Sequence, residues 1–575
     1  MPTFYLDGQP YTYEGSVKLL QYCLDHGIEI PFFCYHPALS IPANCRMCLV
    51  ETGLPQKDRQ TGEYVREPDG SLKVVWGPKP VPACTTDLVP DLHVRTHRTS
   101  QTVRQTQQAV LEFILINHPL DCPICDQAGE CPLQIWTYKY GPEGSRFEEE
   151  KVHKPKRVRL GPHVVLDAER CINCTRCVRF TEEISKSRQL TIIHRGNLNY
   201  PATAQGQPFD DPYSLNTVDI CPVGALTSAD HRFKARPWEM NYTPTICTGC
   251  ARGCNAYVWV RDNLVMRLTP RKNLEINQYW LCDAGRLDYV KYNERRASGL
   301  RRVGGIPVGW EEGWEALAQL LEKHWGKVLI VGSAYASVET LYVLKAFRDQ
   351  VSPTSPLLYV PHVEPGWGDH LLRKDDRTPN SYGAQALGYR AATVQEILTW
   401  LEGGSYTLLY WVEDDRALAE LLPALPAGVA VVAHLYQLIE GYERLDGILP
   451  AATHLESFGT YVNFEGRAQT VQPARQWQQM KPEDWFYLPK SRLDAAGQAV
   501  DRWRHPEHIP DCLPSYQMLL SLAKKLKKPL DLPSEHLPLW EKLRATLPFM
   551  AGAVYPKLLR KEMFRHNQLD FAIKV

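Results

Sequence analysis

Cys171-Ile172-Asn173-Cys174-Thr175-Arg176-Cys177-Val178-Arg179-Phe180 places three thiols at two-residue gaps. Ligands spaced so closely converge on one object when they grip an iron–sulfur cluster or a similar metal centre. Three thiolates do not complete such a site. The known run C-x2-C-x2-C-x3-C-P would supply a fourth four positions on, but Thr181 and Glu182 follow here. Cys221-Pro222-Val223-Gly224-Ala225-Leu226 carries the same Cys-Pro ending displaced downstream, and Gly224 is expected to let the chain turn tightly away from the cluster. Cys171, Cys174, Cys177 and Cys221 therefore read as one [4Fe–4S] site. A structural zinc site with four Cys is the competing reading of this stretch taken alone.

Upstream, His118-Pro-Leu-Asp-Cys122-Pro-Ile-Cys125 and Cys131 give H-x3-C-x2-C-x5-C. A His after a helix is ordinarily a surface or capping residue; its spacing to three Cys makes His118 a ligand, and a neutral imidazole in place of a thiolate raises a cluster's potential. Downstream, Cys247, Cys250, Cys254 and Cys282 give C-x2-C-x3-C-x27-C, a further four-thiolate set. The β-like run Ala256–Arg267 within it is expected to be a small supporting sheet.

The N-terminal residues 3–13 read as two strands around the Asp7-Gly8 turn, followed by a helix capped by Ser16, with Val17, Leu19, Leu20, Cys23 and Leu24 on its apolar face and Gly27 at its end. Strand, strand, helix, then cysteines resembles the β-grasp fold of plant-type ferredoxins, with Cys34, Cys45, Cys48 and Cys84 as ligands of a [2Fe–2S] cluster. The first gap is wider than in that pattern: C-x10-C-x2-C-x35-C. Cys23 is assigned to the core. Gly53–Pro80 is expected to be an exposed hairpin insertion. Thr99–Asn117 predicts a long helix whose second half, dense in Leu, Ile and Phe, packs against another layer. Residues 139–160 read as a connector. Beyond residue 300, Lys327–Ser333 and Val338–Phe347 read as strand, turn and helix, and Tyr406–Val412 and Gly428–Ala433 as buried strands of an α/β layered domain. No G-x-G-x-x-G or G-x4-G-K-[ST] run accompanies Gly332, which disfavours a nucleotide site. Cys512 is a lone thiol in a Pro-containing loop and reads as incidental.

At 575 residues the chain exceeds a single core. Its 65 Lys plus Arg balance its 65 Asp plus Glu, which disfavours nucleic acid or an acidic membrane surface as partner. The opening Met1-Pro2-Thr3-Phe4 lacks the pattern of a signal peptide and no run of apolar residues is long enough to span a bilayer, so a soluble, non-secreted protein is expected. Of the 17 Cys, most lie at ligand spacings rather than disulfide spacings, which predicts a reducing compartment.

Together the ligand sets resemble the G-type iron–sulfur subunits (75-kDa subunit family) of bacterial respiratory complex I, NADH:quinone oxidoreductase. The resemblance rests on Asn44-Cys45-Arg46-Met47-Cys48-Leu49-Val50-Glu51, the His118–Cys131 array, Cys171–Phe180 and Cys221–Leu226, and in the last half on Ile448–Arg467, similar to the molybdopterin-oxidoreductase-type domain of that family. It implies a multidomain α/β chain: an N-terminal β-grasp [2Fe–2S] ferredoxin-like domain (1–98), a His(Cys)3 [4Fe–4S] domain (99–140), a ferredoxin-like [4Fe–4S] domain (141–240), a molybdenum-enzyme-type [4Fe–4S] domain (241–300), and a shortened molybdopterin-oxidoreductase-like α/β domain without pterin (301–575). One [2Fe–2S] and three [4Fe–4S] clusters are implied, with no FMN, NAD or molybdopterin held by this chain and no catalytic residue of its own. The implied partners are an FMN/NADH-binding flavoprotein subunit and the next cluster-bearing subunits of a hydrophilic arm, at the cytoplasmic face of the inner (plasma) membrane, reached only through partner subunits. The implied role is an electron relay towards quinone. The alternative is the large subunit of a formate dehydrogenase or hydrogenase-type oxidoreductase, against which stand the lack of a further Cys set after residue 300 and of a domain long enough to enclose pterins.

Overall fold

A computed structural model describes residues 1–302, 305–481, 484, 488 and 505–556. Two compact units result, Met1–Pro237 and Trp238–Arg560.

In the first unit, the expected hairpin is present as Thr3–Leu6 paired antiparallel with Gln9–Thr12. Thr3–Leu6 also pairs in parallel with His93–Arg95, which joins Leu49–Pro55 and Val74–Trp76 in one mixed sheet. Helix Leu19–Asp25 lies over it, and Phe4, Leu6, Leu19, Leu20, Cys23, Val50 and Val94 form the core between them. Cys23 is fully buried, as assigned. The helix starts later than Ser16: Lys18 occupies the N-cap and no side chain caps it. The insertion from Gly53 to Pro80 is a long, largely exposed hairpin.

Helix Gln101–Ile116 is capped by Ser100, whose hydroxyl accepts from the Val103 amide at 3.1 Å. Its face is narrower than the sequence implies. Val103, Gln107 and Leu111 are buried, whereas Phe113 is 76% exposed, because successive apolar residues on a helix point around it rather than to one side. The rest of the unit is short elements tied by loops: helix Pro132–Tyr140, the three-stranded sheet of Val158–Arg159, Val164–Leu166 and Leu226–Ser228, and helix Arg176–Glu183.

The second unit opens with an antiparallel sheet, Asn241–Ile246, Asn255–Arg261 and Leu264–Pro270, which includes the predicted small sheet. An eight-stranded sheet follows, in the order Ile306–Pro307, Arg301–Arg302, Gly447–Pro450, Ala430–Leu435, Leu408–Val412, Val328–Gly332, Leu358–Tyr359 and Arg390–Ala391. All pairings from Gly447 onward in that order are parallel. Both faces are covered, so the strands are apolar throughout: Val328, Ile330, Leu408 and Tyr410 pack against helices Val338–Val351 and Ser515–Lys525, and Leu329, Val331, Leu409 and Trp411 against helices Val394–Glu402 and Asp415–Leu421. Among the described residues no helix is long and apolar enough to cross a membrane.

Candidate metal centres

Cys34, Cys45, Cys48 and Cys84 meet at one end of the first mixed sheet. The thiols of Cys34 and Cys45 are hydrogen-bonded, as are those of Cys48 and Cys84, and like-charge repulsion links the two pairs. Ala43 and Arg46, flanking Cys45, both take left-handed backbone conformations (φ 50° and 57°), a local cost that a loop wrapped around a ligand can hold.

Cys171, Cys174, Cys177 and Cys221 gather in the same way. Asn173 and Thr175 between them are left-handed (φ 54° and 63°), and Thr175 starts helix Arg176–Glu183, so Cys177 sits in its first turn. A helix N-terminus favours negative charge there. Burial and the neighbouring thiols push Cys171 up to about 12 and Cys221 up to about 11.

Cys122, Cys125 and Cys131 form a third group. Cys131 is the N-cap of helix Pro132–Tyr140 and receives backbone hydrogen bonds from Gln134 and Leu133. Cys122 is exposed, beside Leu120 (87% exposed) and Ile124. His118 lies in the field of Arg170, which also acts on Cys125. Burial, then Arg170, drives the imidazole down to about 4, so it is neutral at pH 7, and its buried Nδ1 has no hydrogen-bond partner among the described residues. Arg170 is itself tied to Asp121 at 2.7 Å and Asp167 at 3.4 Å.

In the second unit, Cys247, Cys250 and Cys254 occupy the turn between strands Asn241–Ile246 and Asn255–Arg261, and Cys282 caps helix Asp283–Leu287 by accepting from Gly285 N at 3.4 Å. All four are buried and repel one another as thiolates. A Cβ on Gly285 would fall 2.5 Å from the Cys247 sulfur, so only glycine fits.

The donor chemistry fits clusters. Thiolates gathered in a dry pocket cannot all ionise unless a positive core is placed among them, and burial raises each thiol until one is. Among the described residues no three His, Cys, Asp or Glu approach one another as ligands of a single ion do.

Two contacts join the sites of the first unit. The Cys221–Ala225 segment serves two of them: Cys221 belongs to the Cys171 group, while the Pro222 carbonyl lies 3.7 Å from the Cys131 sulfur and a Cβ on Gly224 would fall 2.2 Å from that of Cys125. Gly224 is thus needed for close approach; it is not among the left-handed glycines, so the turning role expected from sequence is replaced by a packing role. On the other side, Arg179 Nη2 donates to the Cys34 carbonyl at 2.6 Å and the Cys174 carbonyl at 3.3 Å.

Family models match these segments in turn: a 2Fe-2S iron-sulfur cluster binding domain over residues 1–99, the NADH-ubiquinone oxidoreductase-G iron-sulfur binding region over 107–146, the ferredoxin-like domain of NADH-quinone oxidoreductase subunit 3 over 161–227, and a molybdopterin oxidoreductase Fe4S4 domain over 240–290. The NADH-ubiquinone oxidoreductase 75 kDa subunit of Reclinomonas americana is 37% identical over 356 residues, 61% of this chain. The chain is a relative of the 75-kDa iron–sulfur subunit of NADH-quinone oxidoreductase. Among its bacterial relatives, an NADH-quinone oxidoreductase subunit from Rickettsia bellii is 36% identical over 350 residues, 60% of this chain, and NADH-quinone oxidoreductase subunit 3 of Thermus thermophilus is 38% identical over 318 residues, 52% of this chain. The matched part spans 48% of the Reclinomonas and Rickettsia proteins and 40% of the Thermus one, less than half of each. A solved NAD+-reducing [NiFe]-hydrogenase in the H2-reduced state is 26% identical and covers 41% of this chain and 90% of its own, with a TM-score of 0.32. Both 2Fe-2S and 4Fe-4S binding domains are thus present in this relative of the 75-kDa subunit.

Sequence reasoning named the thiols and His118 but passed over Arg170, Arg176 and Arg179. The signal was available as charged residues interleaved with cluster ligands, where a lone charge is costly unless something offsets it.

Proposed function

We propose that this chain is the electron-relay subunit of an NADH:quinone oxidoreductase. In this reading Cys34, Cys45, Cys48 and Cys84 hold a [2Fe–2S] cluster. Three [4Fe–4S] clusters are held by His118, Cys122, Cys125 and Cys131, by Cys171, Cys174, Cys177 and Cys221, and by Cys247, Cys250, Cys254 and Cys282. Bound clusters supply one-electron redox chemistry; the protein supplies ligation, burial and spacing. The observation that carries the reading is the continuity of the first unit. Arg179 bridges the backbone of Cys34 and Cys174, and the Cys221–Ala225 segment touches both the Cys171 group and the Cys125 group. Three sites thus stand in a row, with the Cys171 group in the middle.

The helix packed on a mixed sheet supports the β-grasp reading of residues 1–98, and the doubly covered parallel sheet supports a shortened, pterin-free molybdopterin-oxidoreductase-like domain after residue 300. Residues 99–140, 141–240 and 241–300 are the three [4Fe–4S] domains. The chain takes electrons from an FMN-bearing, NADH-oxidising subunit and delivers them to further cluster-bearing subunits, in a peripheral arm on the cytoplasmic face of the membrane. It binds no FMN, NAD or molybdopterin itself.

Anaerobic purification of the native complex through a tag on this chain tests the proposal. Co-purifying flavin, and NADH-driven bleaching of the clusters' visible absorption, are expected. Molybdenum or tungsten in the complex, with clusters that NADH does not reduce, would overturn it in favour of a formate dehydrogenase type of enzyme.

A further inference from the structure

Arg176 is completely buried and Arg179 nearly so, on the first turn of a helix that starts inside a ligand loop. Arg176 Nη1 donates to the Ile220 carbonyl at 3.0 Å, beside Cys221, and Nη2 donates to the Tyr35 carbonyl, beside Cys34. Arg179 donates to the carbonyls of Cys34, Ser40 and Cys174. Every one of these acceptors is a neutral carbonyl, and Arg176 Nε is buried with no partner among the described residues. The charges that act on Arg176 are the thiols of Cys174, Cys45 and Cys34 and the like charge of Arg179. Among the described residues neither guanidinium pairs with a carboxylate. Arg170, beside Cys125, differs: Asp121 and Asp167 offset its charge.

A buried cation without a counter-ion is too costly to persist. Each four-thiolate cluster site carries net negative charge, and the two such sites nearest these guanidiniums are those of Cys34 and Cys174. The field of the pair is felt nearby: buried His36 is driven down to about 3 by desolvation and then by Arg176 and Arg179.

We infer that Arg176 and Arg179 are the shared counter-ions of the Cys34–Cys84 and Cys171–Cys221 sites and hold the reduction potentials of both up. This rests on the cluster reading above. Reduction adds one negative charge to a cluster, and a fixed cation in a low-dielectric pocket favours the more negative state. Because one pair of charges faces two sites, the two potentials rise together and stay close, which suits transfer between them in either direction. These are tuning residues; they ligate nothing.

The test is redox titration of the native complex, read by electron paramagnetic resonance, for Arg176→Gln and Arg176→Lys beside the unaltered protein. Arg176→Gln should take up full iron while, at fixed potential, the reduced-to-oxidised ratio of both clusters falls about tenfold or more, equivalent to about 59 mV for a one-electron couple. Arg176→Lys keeps the charge and should lose less than half of that. The His118 site should move least. Potentials unchanged in a fully loaded Arg176→Gln would overturn the inference. Should that variant fail to take up iron, Arg179→Gln gives the same reading; loss of iron from both glutamine variants, with both lysine variants loaded, would mark the charges as needed for assembly and would also overturn it. Unaltered protein lacking the two signals would instead refute the cluster reading itself.

Discussion

Gly224 and the Cys125 sulfur are in such close contact that a Cβ at position 224 would stand 2.2 Å from the sulfur, with Gln127 Cβ next at 3.1 Å. The Cys-Pro turn of one ligand set is therefore part of the wall of another. Placing two sites on one tetrapeptide fixes their separation without any further element.

Alanine at Gly224 must push Cys125 out of its place. Overpacking of this kind costs about 1–3 kcal/mol, and here it also moves a ligand. Gly224→Ala is expected to lose the His118-site cluster while keeping the others, so iron falls by about four per chain. Full iron with an unchanged spectrum would show that the segment gives way without disturbing the site.

His118 brings a neutral ligand to its cluster, held neutral by burial and by Arg170. His118→Cys adds a negative charge and should lower that cluster's potential, on the order of 100 mV. Redox titration of the variant decides it; an unchanged or raised potential would mean that charge at this position is not the controlling factor.

Spacing made the thiols legible because a cluster restricts how far apart its ligands fall in sequence. The buried strands Val328–Gly332, Leu408–Val412 and Ala430–Leu435 were legible for a related reason: a strand covered on both faces is continuously apolar. The partners of Arg176 were not, because Tyr35 lies 141 residues away and only folding brings it near. Gly224 was misread because a glycine used for room and one used for a left-handed turn look alike in sequence. Helix Gln101–Ile116 was given too broad a buried face, since density of apolar residues says little about which side they occupy.

Cys282 both completes a buried four-thiolate set and caps helix Asp283–Leu287. Metal binding there is also folding free energy. Cys282→Ala is expected to lower the apparent Tm by roughly 5 °C or more, while assembled complex turns over NADH almost normally; Cys221→Ala, in the middle site of the row, should abolish electron transfer. An intact Cys282→Ala complex that has lost most of its turnover would contradict a structural role for this site.

Glu413, at the end of strand Leu408–Val412, is buried and accepts from Tyr436 Oη at 2.5 Å; desolvation raises its carboxyl to about 7. Its folded pKa lies above its unfolded one. The stability it contributes is therefore complete below about pH 4.5 and lost as pH rises through 7, at up to about 1.4 kcal/mol per pH unit between them. Glu413→Gln should gain on the unaltered protein over that window, with a midpoint difference in urea unfolding that grows from pH 5 to pH 7.5. A difference independent of pH would contradict the assignment.

The central claim is that sixteen ligands hold one binuclear and three tetranuclear clusters. Iron, acid-labile sulfide and zinc measured per chain on one anaerobic preparation test it most directly. About fourteen irons and an equal amount of sulfide are expected, without stoichiometric zinc. Saturation near ten irons, or zinc in place of sulfide-bound iron, would contradict it.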